Sequence, residues 1–266
     1  MGATNTRLAV FDGKKMSAPR FLPTAGEFDE QIAQMRDAAF SFLPKGKKIA
    51  VAAGGVPGPL SKDKTTLVNA PNLGGWIGKP LRKKLEEILC APVRLENDAA
   101  LAGLGEAVFG AGRGKSIVGY ITVSTGVGGA RVVNGKIDEN AMGFEPGGQI
   151  IRPDANEGNG SLGEYISGAA LERRFGKKPE HIADEAVWRE AARVLAVGLH
   201  NTIVHWSPDI VVLGGSVMLN KIPFDEVVLL LKARMKIFPR LPEIRKATLG
   251  DFGGLWGARA LLSQKK

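Results

Sequence analysis

Asn97-Asp98 stands where a strand-like run, Val93-Arg-Leu95, meets a helix-like run from Ala99 to Phe109. A carboxylate at such a junction can take the proton from a hydroxyl, and the helix N-terminus favours its ionised form. Capping the helix is the commoner use of Asn or Asp at that place, so the pair is open to both readings. Three glycine-bearing turns border strand-like segments: Gly2-Ala-Thr-Asn-Thr6, Thr122-Val-Ser-Thr-Gly-Val-Gly-Gly129 and Gly214-Gly215. Without a Cβ, backbone N–H groups can face an anion, and threonine or serine hydroxyls add donors. Such turns suit phosphates, and the one after residues 209–213 suits an adenosine. A single cluster is more often a tight turn, and none fits the Walker or dinucleotide pattern. Three in this order carry more weight. A proton acceptor with phosphate cradles is what phosphoryl transfer needs, because positioning and charge neutralisation supply most of its catalysis.

The elements that would carry these residues alternate between strand and helix. Arg7–Phe11 reads as a strand followed by a turn at Asp12-Gly13. Phe28, Ile32, Met35, Ala39 and Phe42 recur at helical spacing and predict a helix over 27–43, ending before Pro44. Lys48–Ala53 reads as a buried strand running into Gly54-Gly-Val-Pro-Gly58, and residues 80–89 as a short amphipathic helix. Residues 116–123 and 129–133 predict a hairpin around a glycine turn. Asp184 is the expected N-cap of a long helix reaching Trp206, Asp209–Leu213 a continuous apolar strand, and 253–262 a closing helix. The pattern implies an α/β chain with much parallel sheet and no internal repeat or long linker.

Composition narrows the classes. Of 266 residues, 44% are hydrophobic and 24% charged, as in ordinary soluble proteins. No apolar run reaches the roughly 18 residues that would cross a bilayer, and no secretory signal opens the chain, so a cytoplasmic protein without membrane contact is expected. The formal charge of +9 invites a nucleic-acid reading. Its cations are dispersed, however, with no arginine-rich tail or aromatic-interleaved stripe, and a solvated basic surface is the preferred reading. The single cysteine, Cys90, excludes an internal disulfide and a cysteine-rich zinc site.

Taken together the segments resemble the ROK family of bacterial sugar kinases and repressors, within the hexokinase–actin superfold, over nearly the whole chain. Gly55-Val-Pro-Gly-Pro59 is similar to the family's G-x-P-G turn, and Asn69-Ala-Pro-Asn-Leu-Gly-Gly-Trp76 to A-P-N-L-x-x-W. Leu95–Ala102 resembles V-x-N-D-A-N-A-A, 120–129 the second phosphate loop, and Gly143–Gln149 the E-x-G-H segment. Tyr165–Gly168 resembles Y-x-S-G, and Pro208–Gly215 resembles P-D-x-V-V-L-G-G. The resemblance implies a two-lobed RNase H-like α/β ATPase, with residues 1–98 and 253–266 as a small lobe and 99–252 as a large one. It implies an ATP- and Mg²⁺-dependent hexose kinase acting as a homodimer. Asp98 is then the general base, and Asn97, Glu145, Glu164 and Asn72 contact or shape the sugar site. Thr4, Thr6, Thr125, Gly126 and Gly128 face the phosphates, and Gly214 and Gly215 the adenosine.

Three departures qualify that expectation. Met1-Gly-Ala-Thr4 supplies only the tail of the family's D-x-G-x-T loop, without its Asp or the strand before it, which implies impaired turnover. The family's E-x-G-H histidine is Gly148, and Ser161 occupies its last zinc-cysteine position, so no zinc is expected. The sugar-binding Glu of L-E-x-Y-x-S-G is Gly163, with Glu164 one place later; a one-residue step turns a helical side chain by about 100°. The competing reading is a catalytically impaired sugar- or nucleotide-binding regulator. Because the chain begins inside the first phosphate loop, a repressor's DNA-reading module is not expected. An acetate-kinase-like or actin-like ATPase is a more distant alternative.

Overall fold

Phe28 and Ile32, one turn apart, bury one stripe of α1 (Phe28–Phe40), and Leu81, Leu85 and Leu89 do the same for α2 (Leu81–Leu89). Both belong to the first of two units in the computed structural model, which describes all residues except 3, 14, 71–72, 155–159 and 265–266. Unit 1 takes in Met1–Gly105, Glu139–Gly143 and Asp251–Lys266; unit 2 takes in Glu106–Asp138 and Phe144–Gly250.

In unit 1, β1 (Asn5–Leu8) pairs antiparallel with β4 (Arg20–Pro23), and β2 (Phe11–Asp12) forms a small hairpin with β3 (Lys15–Met16). β5 (Ala52–Val56) pairs parallel with β6 (Val93–Asn97), which runs directly into α3 (Asp98–Phe109). The core gathers Phe28, Ile32, Val56, Leu67, Trp76, Leu81 and Leu95. Trp76 donates its indole N–H to Gly26 O at 3.1 Å while its ring meets Phe28 edge-on, so its burial leaves no polar atom unpaid. The closing helix α9 (Gly253–Ser263) packs so near α3 that a Cβ on Gly257 would overlap the carbonyl of Leu101.

Unit 2 is built on a five-stranded sheet. β7 (Ile117–Val123) pairs antiparallel with β8 (Val127–Val133), which pairs with β9 (Lys136–Ile137). On its other side β7 is parallel to β10 (Ile210–Gly214), and β10 to β11 (Glu243–Lys246). Every residue of β10 is buried, as a central parallel strand covered on both faces requires. The helices are α4 (Leu162–Ile166), α5 (Gly168–Phe175), α6 (Glu185–Trp206), α7 (Ser216–Asn220) and α8 (Phe224–Arg234). Asp184 caps α6 as expected, accepting the N–H of Ala186 at 2.9 Å. Leu195, Leu199 and Ile203 of α6 pack with Ile121, Val211, Leu213, Val227 and Leu231. Among the described residues no helix is long and apolar enough to cross a membrane.

Local boundaries moved where glycine was read as punctuation. The expected strand over 48–53 begins only at Ala52 and runs through Gly54-Gly55 to Val56. At Gly55 the strand backbone presses on α3, where a Cβ would lie 2.9 Å from Asp98 Cα. The first strand is Asn5–Leu8 rather than 7–11, placed by its pairing with residues 20–23.

Candidate functional site

Asn97 and Asp98 divide the two roles that their position offered. The Asn97 side-chain oxygen accepts the N–H of Ala100 at 3.0 Å, the bond of an N-cap, and its amide nitrogen donates to Gly58 O at 3.2 Å. The Asn97 N–H donates to Glu96 Oε1 at 3.0 Å, and the other oxygen of this buried carboxylate pairs with Lys64. The Asp98 carboxylate accepts the N–H of Ala99 at 2.8 Å. Burial pushes the Asp98 carboxyl up from the ordinary aspartate range, and the N-terminal ammonium of Met1 and local N–H groups pull it partly back. That ammonium donates to Gly55 O at 2.7 Å, and its own pKa is lowered by burial against the attraction of Asp98. Gly2 runs alongside: a Cβ there would stand 3.9 Å from Asp98 Oδ2.

The rest of the Gly2–Thr6 segment does not form the expected turn of free hydroxyls. Thr6 lies in β1, is 1% exposed, and shares its hydroxyl with that of Thr24 at 3.0 Å. Pairing of β1 with β4 turns it inward, so this threonine is part of the core. Thr4 is exposed and its carbonyl accepts the Thr24 N–H at 3.0 Å. Asn72 lies outside the described residues.

Unit 2 brings the other two glycine turns together. The β7–β8 connection is residues 124–126, with Thr125 and Gly126 exposed. Its shape is set by the N–H of Ser124 donating to Gly126 O at 2.8 Å, and its carbonyls are tied down. Ser124 O accepts the N–H of Gly168 at 2.7 Å and Thr125 O that of Ala169 at 3.0 Å, at the start of α5. With these carbonyls and the Ser124 N–H committed, the N–H groups of the exposed Thr125 and Gly126 are the turn's candidates for a ligand. The sequence placed Gly128 in this turn too, but it sits in the β8 ladder opposite Thr122. Gly214 closes β10 and Gly215 follows with φ 90°, where a Cβ would overlap the carbonyl oxygen of Val123. The next residue, Ser216, has its hydroxyl 3.3 Å from that of Ser124, so the two turns are neighbours within one unit. Ser124 lay within the turn read from sequence but was given no role of its own, and Ser216 was not singled out; the signal was a hydroxyl residue beside each glycine turn.

The third group follows β8. Glu145 is exposed and precedes a single 3-10 turn, Pro146–Gly148, in which Gly147 lies against the carbonyl of Val127. A Cβ at Gly148 would meet nothing within 4 Å. Glu164, on α4, forms an ion pair with Arg173 at 2.7 Å, so its carboxylate is already engaged. A Cβ on the preceding Gly163 would sit 3.2 Å from Gly147 O. Among the described residues no group of three or more His, Cys, Asp or Glu could hold a metal ion.

The profile of the ROK family matches residues 1–265. An N-acetyl-D-glucosamine kinase of Pectobacterium carotovorum is 30% identical over 98% of this chain and 96% of its own length. Among solved structures, a ROK hexokinase from Thermus thermophilus superposes with a TM-score of 0.82 at 30% identity, covering 97% of this chain and 94% of that one. A ROK glucokinase from Streptomyces griseus, in complex with glucose and AMPPNP, gives 0.83 at 25% identity, covering 98% and 96%.

Proposed function

The chain belongs to the ROK family and has its two-lobed α/β fold of the hexokinase–actin kind, and on that premise we propose that it is an ATP-dependent sugar kinase acting on a hexose. The observation that carries the reading is the division of labour at the head of α3. Because Asn97 makes the N-cap bond to Ala100, that bond does not fall to Asp98, whose carboxylate accepts the adjacent Ala99 N–H and is assigned as the base. Its raised pKa moves it towards neutrality, which makes it a better acceptor for a hydroxyl proton than an ordinary aspartate. Asp98 takes the proton as the sugar oxygen bonds to the γ-phosphorus of ATP and the bond to ADP breaks. The donors of the 124–126 turn and of Gly214-Gly215 hold the nucleotide; Thr4 assists, while Thr6 and Gly128 contribute only through their backbone placement.

For the sugar, the amide nitrogen of Asn97 has a second hydrogen beyond the one given to Gly58. Asn97 and Glu145 are the assigned hydroxyl partners, and Asn72 retains its assignment at the pocket mouth. Glu164 serves only if Arg173 releases it. Mg²⁺ bound with ATP would neutralise phosphate charge. The complex of a relative with glucose and an ATP analogue supports this pairing of substrates. An assay of ADP release over a panel of hexoses and N-acylhexosamines tests it. The expected result is release dependent on one sugar class. Nucleotide binding without any sugar-stimulated release would replace the proposal with the regulator reading.

A further inference from the structure

Glu106 is a buried carboxylate, 1% exposed, that the reaction above does not use. It lies on α3, the helix that begins at Asp98, and it is the first residue of that helix to belong to unit 2. Its oxygens accept the N–H of Ala111 at 2.8 Å, of Thr248 at 2.9 Å and of Leu249 at 2.8 Å, and the Thr248 hydroxyl at 3.3 Å. Ala111 belongs to the loop that leaves α3. Thr248 and Leu249 immediately precede Gly250, the last residue of unit 2 before the chain returns to unit 1 at Asp251. One carboxylate therefore ties the last turn of the Asp98 helix to the strand of chain that leaves the unit.

Ending a helix does not demand this. A glycine after the last turn does so without burying a charge, and a buried carboxylate is costly unless its lone pairs are filled. Here they are filled, by the nearby Ala111 and by Thr248 and Leu249 far along the chain. The fit is close enough that a Cβ on Gly110 would overlap Glu106 Oε2. On the unit 1 side the same helix is equally confined: Gly105 meets the carbonyl of Gly253, and Gly257 that of Leu101. The residues that flank the other crossing of the chain, Asp138 and Phe144, are held within unit 2. Arg131 donates to Trp206 O at 2.9 Å and pairs with Asp138, while the Phe144 ring stands edge-on to Trp206 at 5.2 Å.

We infer that Glu106 is a positioning residue for the phosphoryl transfer: it locks the far end of the helix that bears Asp98, so that the carboxylate is held from both ends of α3. The inference rests on the sugar-kinase reading for its activity readout only. In the full-length protein, Glu106→Gln keeps one acceptor oxygen but turns an amide donor towards Ala111 N–H and the Thr248 hydroxyl. Thr248→Val removes the hydroxyl bond alone and guards against a fold too damaged to assay. At a temperature where circular dichroism shows both variants folded, Glu106→Gln should lower kcat at least tenfold, with KM for ATP within twofold and the pH midpoint unchanged. Thr248→Val should shift kcat the same way by about threefold. Hydrogen exchange supplies a readout independent of turnover: in Glu106→Gln, faster exchange should spread from Ala111, Thr248 and Leu249 back along residues 98–105, with β7 and β10 unaffected. A kcat within twofold of the parent, or exchange changes confined to Ala111, Thr248 and Leu249, would overturn the inference and leave Glu106 a local plug. If the parent phosphorylates no sugar, the kinase reading fails by itself, and the exchange pattern alone decides for or against the helix lock.

Discussion

Replacing Asp98 by Asn separates chemistry from folding, because it keeps size and an acceptor oxygen for the Ala99 N–H while removing the proton acceptor. General-base catalysis is worth roughly 10²–10⁴ in rate, or about 2.7–5.4 kcal/mol of barrier at 1.36 kcal/mol per tenfold. A loss of kcat in that range is expected, with sugar and nucleotide affinities near the parent's. Stability should move the other way. Burial is the largest influence on Asp98 and raises its pKa in the folded state above the unfolded value. Between those two pKa values the folded protein binds more protons than the unfolded, so the parent loses stability as pH rises through that window. The amide carries no charge to desolvate and escapes the loss. The missing attraction to the Met1 ammonium works against this, but it is the smaller influence on Asp98. Asp98→Asn should therefore melt at or above the parent at neutral pH, and the gap should close in acid. The parent's kcat should rise with pH through a midpoint above the ordinary aspartate value. Turnover by the mutant within a few-fold of the parent would make Asp98 merely structural. A mutant that melts well below the parent at neutral pH would show that the ammonium pairing outweighs desolvation.

Gly215→Ala forces a Cβ into the Val123 carbonyl at a φ of 90°, so ordering of this turn should be lost. Calorimetry with a non-hydrolysable ATP analogue should show at least tenfold weaker binding, and unchanged affinity would remove the turn from the nucleotide site. Leu195→Ala opens a cavity beside α8 and the sheet at a fully buried position, costing about 2–5 kcal/mol, read as a lower denaturant midpoint. A shift under 1 kcal/mol would mean that the α6 core collapses around the gap. Elemental analysis should find no stoichiometric zinc, and chelation should leave melting unchanged; zinc surviving dialysis would refute the reading of Gly148 and Ser161.

What the sequence made legible depended on whether the signal was local. The helix over 185–206 was readable at both ends, because Asp184 is a cap and the apolar stripe lasts until Trp206. The helix at 81–89 was equally plain from its leucines. β11 was not foreseen: Glu243-Ile-Arg-Lys246 has little strand character of its own and is a strand because β10 offers a parallel edge. Gly54-Gly55 and Gly128 misled for a related reason. Gly55 answers the close approach of α3 and Gly128 simply continues the β8 ladder opposite Thr122, so neither marks a turn. Thr6 was assigned by motif, and the facing strand decided instead that its hydroxyl belongs to Thr24.

The Asn97-Asp98 pair shows the limit most clearly. Either residue can cap a helix, and nothing in their order says which one will. The choice leans on groups far along the chain: Gly58 holds the Asn97 amide, and Lys64 pairs with the neighbouring Glu96 that takes the Asn97 N–H. Once Asn97 is committed from these sides, its oxygen lies over Ala100 N–H and the cap is filled. The next side chain is then left to a setting of β5 backbone and the Met1–Gly2 segment, which strips it of water and raises its pKa. A residue pair that reads as a helix signal is thereby divided into one group that builds the helix and one that the helix presents.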